Sequence, residues 1–163
     1  MAIRFGLATA VALALTASAA GAAQGDDAVS PVSQRLTQSA FASLNAKNYA
    51  AAIDDFETAL AVDPKNRSAF IGLARVAQAQ GLPGKAVKYY REALQLDPND
   101  LAALEGQGQA FAERGAKARA QANLDRIRTL CRGDCASAKR LETAIGQTVA
   151  QSTPTGPAAS AKN

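Results

Sequence analysis

The sequence predicts an all-α fold, a solenoid of stacked helix-turn-helix units closed by a C-terminal helix. Two observations carry this. Asp63-Pro64 and Asp97-Pro98 lie 34 residues apart, and the residues before them keep the same step, Ala52, Phe56 and Ala59 falling in register with Ala86, Tyr90 and Ala93. A third set, Ala120, Leu124 and Ile127, follows at the same interval. A period of this length marks a helix-turn-helix unit that buries its apolar faces only by stacking on its neighbours. Second, no segment alternates as a strand would; Ala, Leu, Gln and Lys dominate, and all are good helix formers.

The chain opens on a targeting segment. Arg4 supplies a positive start, Phe5 to Ala20 is an apolar run, and Gly21, Ala22 and Ala23 offer small residues for cleavage before Gln24. Residues 1–23 therefore read as a signal peptide for export to the periplasm. The run is short and no Lys or Arg cluster follows it, so a retained membrane helix is disfavoured and no stable membrane insertion is expected after cleavage. About 140 residues would remain, room for one domain.

Residues 24–32 are polar, hold Pro31, and read as a linker. The repeat domain is expected over 33–150, with units at about 33–66, 67–100 and 101–134. Apolar spacing places helices at 33–46, 50–62, 67–80, 84–96, 101–114 and 117–130, and a capping helix at 136–149 carrying Ala138, Leu141, Ala144, Ile145 and Val149 on one stripe. The tail, 151–163, has little to bury and reads as disordered. Breaks recur with the period. Proline disfavours the α conformation at the residue before it, which stops the helices at Asp63 and Asp97. Asn66 and Asp100 can cap the helices that follow. Gly81 and Gly115, again 34 apart, can take the left-handed conformation that ends a helix.

This register resembles the tetratricopeptide repeat family over about residues 33–130, most clearly from Arg67 to Pro98. The resemblance implies a right-handed solenoid in which helix A crosses helix B at small residues: Ala40 with Ala52, Ala74 with Ala86, Gly108 with Ala120. Bulky residues surround each crossing: Leu36, Phe56 and Leu60; Phe70, Leu73, Tyr90 and Leu94; Leu104, Phe111, Leu124 and Ile127. It also implies a concave protein-binding groove lined by Gln34, Thr37, Phe41, Leu44 and Asn45, by Ser68, Ile71, Arg75 and Gln78, and by Glu105, Gln109 and Glu113. Repeats that clamp a peptide's terminal carboxylate set Lys, Asn and Arg at certain groove positions; here those are mostly Thr, Phe, Gly and Glu. An extended or helical peptide on Phe41, Leu44 and Ile71, with Arg75 fixing an acidic group, fits better. The third unit departs from the pattern, with Ile127 at a usually small position and Cys131-Arg132 in place of Asp-Pro, as a terminal repeat is expected to do.

Cys131 and Cys135 are the only cysteines. An even, closely spaced pair in an exported chain points to a disulfide, fixing the turn that Asp-Pro fixes in the first two units. Competing readings are a redox-active pair, against which the spacing is not Cys-x-x-Cys, and a metal site, for which a chain without His has only carboxylates to complete the ligands. The intervening Arg132-Gly133-Asp134 could also be read as an adhesion tripeptide. The ending from Leu130 to Cys135, with Leu141 and Ile145, is similar to small exported repeat proteins of Gram-negative bacteria.

Composition narrows the function. Without His, Ser-His and Cys-His nucleophile pairs cannot be built, and the usual general base near neutral pH is missing. Asp54-Asp55 are adjacent on a helix and point apart. Gly106-Gln107-Gly108 falls inside a helix rather than on a phosphate loop. No enzyme activity, cofactor or metal is expected. Aromatics make up 5% of the chain, too few for a base-stacking surface, so nucleic acid is not an expected partner. Gly115 to Asn163 carries eight basic and three acidic residues, a surplus that keeps the protein soluble or meets an anionic partner. The expected role is a non-enzymatic adaptor or scaffold with a protein or peptide partner, within an envelope process such as pilus assembly or secretion. A self-associating structural envelope protein, a homo-oligomer stacked through its repeat edges, is the alternative.

Overall fold

A computed structural model describes residues 28–131 and 135–152. Seven helices follow one another: α1 Pro31–Asn45, α2 Tyr49–Val62, α3 Arg67–Ala79, α4 Pro83–Leu96, α5 Leu101–Glu113, α6 Lys117–Leu130 and α7 Ala136–Ser152. No strand occurs among the described residues. Successive helices pair as antiparallel hairpins, α1 with α2, α3 with α4 and α5 with α6, and each hairpin stacks on the next. The expected signal peptide, residues 24–27 of the expected linker, the Arg132-Gly133-Asp134 loop and the tail beyond Ser152 lie outside the described residues.

Two boundaries differ from expectation. Pro31 is the first residue of α1 rather than part of a linker, because the N–H it lacks has no helical partner at that position. At the other end α7 runs to Ser152 and takes in Gln151 and Ser152, the first two residues of the expected tail.

The turns repeat for identifiable reasons. Asp63 and Asp97 are extended, with φ of −147° and −141°. Their carboxylates then accept from the backbone N–H two residues on, Asp63 Oδ1 from Lys65 at 2.9 Å and Asp97 Oδ1 from Asn99 at 3.0 Å. Asn66 and Asp100 cap α3 and α5, accepting from Ala69 N at 3.2 Å and Ala103 N at 2.8 Å. Between paired helices Gly81 and Gly115 take φ of +71° and +73°, and Lys47, at the matching place in the first unit, takes +59°. All three turns close alike, with N–H donors on Asn48, Leu82 and Ala116 reaching carbonyls of Ser43, Ala77 and Phe111. Lys47 carries no glycine signal, so sequence alone did not single it out.

The core follows the period. Ala40, Ala52, Ala74, Ala86 and Ala120 are fully buried, which lets the helix backbones come close. Phe56, Tyr90 and Leu124 recur on the second helices and are buried to within 2%. Burial of each contributes about 1.5–3 kcal/mol. The two aromatics press on the next unit where it has a glycine: a Cβ on Gly72 would collide with the Phe56 ring, and one on Gly106 with the Tyr90 ring. Gly108 has a different neighbour from the one expected. A Cβ there would meet Leu141 Cδ2 at 2.6 Å, so the small residue makes room for α7 rather than only for Ala120.

The capping helix stands where a fourth unit would begin and packs on both α5 and α6. Leu141 is fully buried and Ala138 nearly so, in one cluster with Leu104, Leu124 and Ile127. This accounts for Ile127. Ala59 and Ala93 are each followed eleven residues later by a large side chain, Phe70 and Leu104, whereas Ile127 is followed at that distance by Ala138. In the last unit the large Ile127 and the small Ala138 share one core cluster, so the larger residue is matched by a smaller one.

Candidate protein-binding groove

The first helices of the three units, with α7, line a groove made of two clefts. The N-terminal cleft, about 380 Å³, is bordered by Val29, Gln34, Thr37, Gln38, Phe41, Asn66 and Ser68. The central cleft, about 520 Å³, is bordered by Ile71, Arg75, Gln78, Tyr90, Ala102, Glu105, Gly106, Gln109 and Arg140. Arg75 joins them, its guanidinium 5.5 Å from the centroid of the Phe41 ring. That ring stands edge-on to Phe56 at 5.0 Å, which fixes it on the core. Cation and ring attract, so Arg75 is oriented across the groove, and among the described residues no carboxylate lies within ion-pair distance of it.

The expected groove residues divide by position. Gln34, Phe41 and Ser68 line the first cleft; Ile71, Arg75, Gln78, Glu105 and Gln109 line the second. Gln34 Nε2 is already engaged with Val29 O at 2.9 Å. Leu44 is not a groove residue: it is buried in the core cluster with Phe56 and Leu73, because its helix turn faces α2. Thr37 borders the cleft but is 5% exposed. Its hydroxyl donates to Ser33 O at 2.9 Å and accepts from Asn66 Nδ2 at 2.8 Å. Asn45 ends α1, exposed, and borders neither cleft. Glu113 stands at the rim and accepts from Gln78 Nε2 at 3.0 Å.

Two side chains that line the central cleft escaped the sequence reading. Tyr90 reaches the cleft from behind, its hydroxyl donating to Gln78 Oε1 at 2.7 Å. Burial pushes its phenol well above the ordinary range; the Arg75 charge opposes this and those of Glu113 and Glu105 add to it. Tyr90 therefore remains a neutral donor. Arg140 enters from α7 and grips Glu105 with two bonds, Nε to Oε1 and Nη2 to Oε2, each 2.6 Å. The hydrogen bond to Glu105, and then its charge, hold the guanidinium still more firmly in the charged form. Its signal was available: Gly72, Gly106 and Arg140 are spaced by 34, so extending the period into α7 puts Arg140 at a groove position.

The arrangement is one of recognition. Arg75 and Arg140 face a common cleft beside amide groups of Gln78 and Gln109, over apolar Ile71 and Phe41. Only one carboxylate, Glu105, lines that cleft. Among the described residues no group of three His, Cys, Asp or Glu side chains comes together as a metal site would need. At the end of α6 the Cys131 and Cys135 sulfurs stand at disulfide distance, with Cα atoms 5.8 Å apart.

Known proteins share this architecture. Cellulose synthase operon protein C of Escherichia coli K12 is 38% identical over 68 residues, which is 42% of this chain and 6% of that protein. The chain thus spans a small fraction of that relative's length. The Sgt2 TPR domain from Aspergillus fumigatus superposes with a TM-score of 0.69 at 24% identity, over 85% of this chain and 93% of that one. The type III secretion chaperone SycD of Yersinia enterocolitica, solved with a peptide of the translocator YopD, superposes with a TM-score of 0.64 at 18% identity, over 72% and 92%. The tetratricopeptide repeat pattern itself matches residues 42–101 and 71–134. With the period, the stacked hairpins and this match in agreement, the chain belongs to the tetratricopeptide repeat family.

Proposed function

We propose that this protein is a periplasmic adaptor that holds a segment of a partner protein in its concave groove. The observation that carries the reading is Arg75, which lines the central cleft with Ile71 while its guanidinium stands over the Phe41 ring of the adjoining cleft. Such a cleft takes an extended or helical segment bearing an acidic residue, the acid on Arg75, since Arg140 is already held by Glu105, and the apolar side chains on Ile71 and Phe41. That peptide-bearing structures such as SycD share the fold supports a groove-bound partner. Export rests on Arg4 and the apolar run to Ala20, and N-terminal sequencing of protein recovered from cells tests it: a start at Gln24 is expected.

The groove is tested by crosslinking in the native envelope followed by mass spectrometry. Arg75→Glu combined with Phe41→Ala is expected to remove the crosslinked partner while leaving helicity intact. Recovery of the same partner in equal yield would show the groove assignment to be wrong. Self-association through repeat edges, the second reading, needs apolar edges. The outward face of α7 instead carries exposed Lys139, Glu142, Thr143 and Gln147.

A further inference from the structure

A second cleft, about 660 Å³, lies away from the groove and shares no residue with it. Gly84, Lys85, Lys88 and Tyr89 of α4 and Arg114 at the end of α5 line it. Lys85 Nζ sits 5.7 Å from the Tyr89 ring centroid, and a Cβ on Gly84 would stand 4.0 Å from Arg114 Nε, so the three cations are gathered around one opening. Elsewhere Arg67, Arg91, Arg128 and Arg140 each have a carboxylate within ion-pair distance. Lys85, Lys88 and Arg114 have none among the described residues. Like charges on successive helix turns repel, and no acidic residue in the first turn of α4 offsets them. The cluster stands open to an anion from outside.

Its place in the fold selects the anion. Paired helices of a solenoid put all their internal turns at one end, and at that end stand Lys47, Lys85, Arg114, Lys117 and Arg119. Leu82, 46% exposed, stands at the same end, two residues before Gly84. The opposite end is of mixed charge, with Asp63, Asp97 and Asp100 beside Lys65, Arg67, Arg126 and Arg128, and Arg67 is held by Asp97 and Asp100. A molecule polarised in this way orients its basic end toward an anionic surface. Cations spread across consecutive turns are all reached at once by a planar anionic surface, and an exposed leucine among them gains by entering its apolar boundary.

We infer that the Lys85–Lys88–Arg114 cleft and the neighbouring turns dock the protein, peripherally, on an anionic phospholipid surface, with lipid phosphates at the cations and Leu82 in the interface. The test is co-sedimentation of the chain from Gln24 to Asn163, which keeps every described residue, with phosphatidylcholine vesicles with and without phosphatidylglycerol. Sedimentation is expected only with phosphatidylglycerol and is expected to weaken as salt rises. Neutralising a cation should lower partitioning about fivefold, so Lys85→Gln, Lys88→Gln and Arg114→Gln together should lower it about a hundredfold. Leu82→Ser should lower it severalfold with the salt dependence unchanged, and Arg75→Gln, in the groove, should leave it as it was. These side chains are exposed, so circular dichroism should match the parent. Equal partitioning of the triple variant would overturn the inference. So would retention on immobilised polyglutamate without binding to either vesicle, since that result assigns the cleft to an acidic protein.

Discussion

The Tyr90 ring lies against the α5 backbone at Gly106, where any Cβ would overlap it. Phe56 and Gly72 repeat this contact one unit earlier. The solenoid is thus stitched by an aromatic of one unit seated on a glycine of the next, and in the second pair the aromatic also delivers a hydroxyl to the groove.

Gly106→Ala sets two effects against each other. Alanine in a helix interior gains about 1 kcal/mol over glycine. Overpacking a filled site costs about 1–3 kcal/mol, and here the obstacle is a whole ring that is itself buried. Net destabilisation of about 1–2 kcal/mol is expected by urea unfolding. Adding Tyr90→Leu, the type found at Leu124, should recover part of it; an unchanged midpoint in Gly106→Ala would mean the ring is free to move.

Tyr90 should resist ionisation, chiefly through burial. Near-UV absorbance on alkaline titration is expected to show Tyr90 keeping its proton beyond the ordinary phenol range. The unfolded chain gives up this proton near the ordinary value of 10.0 while the folded phenol keeps it. The stabilisation is therefore complete below about that pH and is lost as pH rises past it. Tyr90→Phe should flatten that alkaline loss of stability, and it would also free Gln78 from the bond it now accepts.

Asn66 serves two helices at once. It caps α3, and its Nδ2 donates to Ser33 Oγ at 2.7 Å and Thr37 Oγ1 at 2.8 Å, while Ser33 Oγ donates to Ala59 O at 2.7 Å. Asn66→Ala removes a cap worth about 1 kcal/mol and leaves buried hydroxyls short of a donor, a further ~1–3 kcal/mol. A loss of about 2–4 kcal/mol is expected in chemical denaturation. In the next unit the same two positions are Arg67 and Asp100, paired at 2.6 Å, so Asp100→Ala should be milder, its partner being partly exposed.

Opening the Cys131–Cys135 link should act on the cap first. Closing so short a loop contributes about 2 kcal/mol in the chain-entropy account. Cys131→Ser with Cys135→Ser should lower the unfolding midpoint by that order and speed amide exchange in α7 more than in α3. The native protein, unfolded without reductant, should show no reactive thiol; finding two would contradict the pairing.

Much of the fold was legible because it repeats. Proline after Asp63 and Asp97 ends helices by local sterics, Gly81 and Gly115 mark left-handed turns, and Asn66 and Asp100 cap, each within a few residues of its cause. Lys47 was missed since its side chain gives no sign that the backbone there has positive φ. The groove was less legible. Leu44 shares a helix with true groove residues, and only the angle at which α1 meets α2 turns it inward. Tyr90 read as core and Arg140 as cap, because each reaches the cleft from an element outside the set of first helices.

By itself the sequence determined the helices, their turns and the 34-residue stacking interval, since these depend on contacts between near neighbours in the chain. Tertiary structure decided how α7 meets the groove. Arg140 and Glu105 are 35 residues apart, and the grip between them exists only once Leu141 has seated against Gly108 and brought the two helices together.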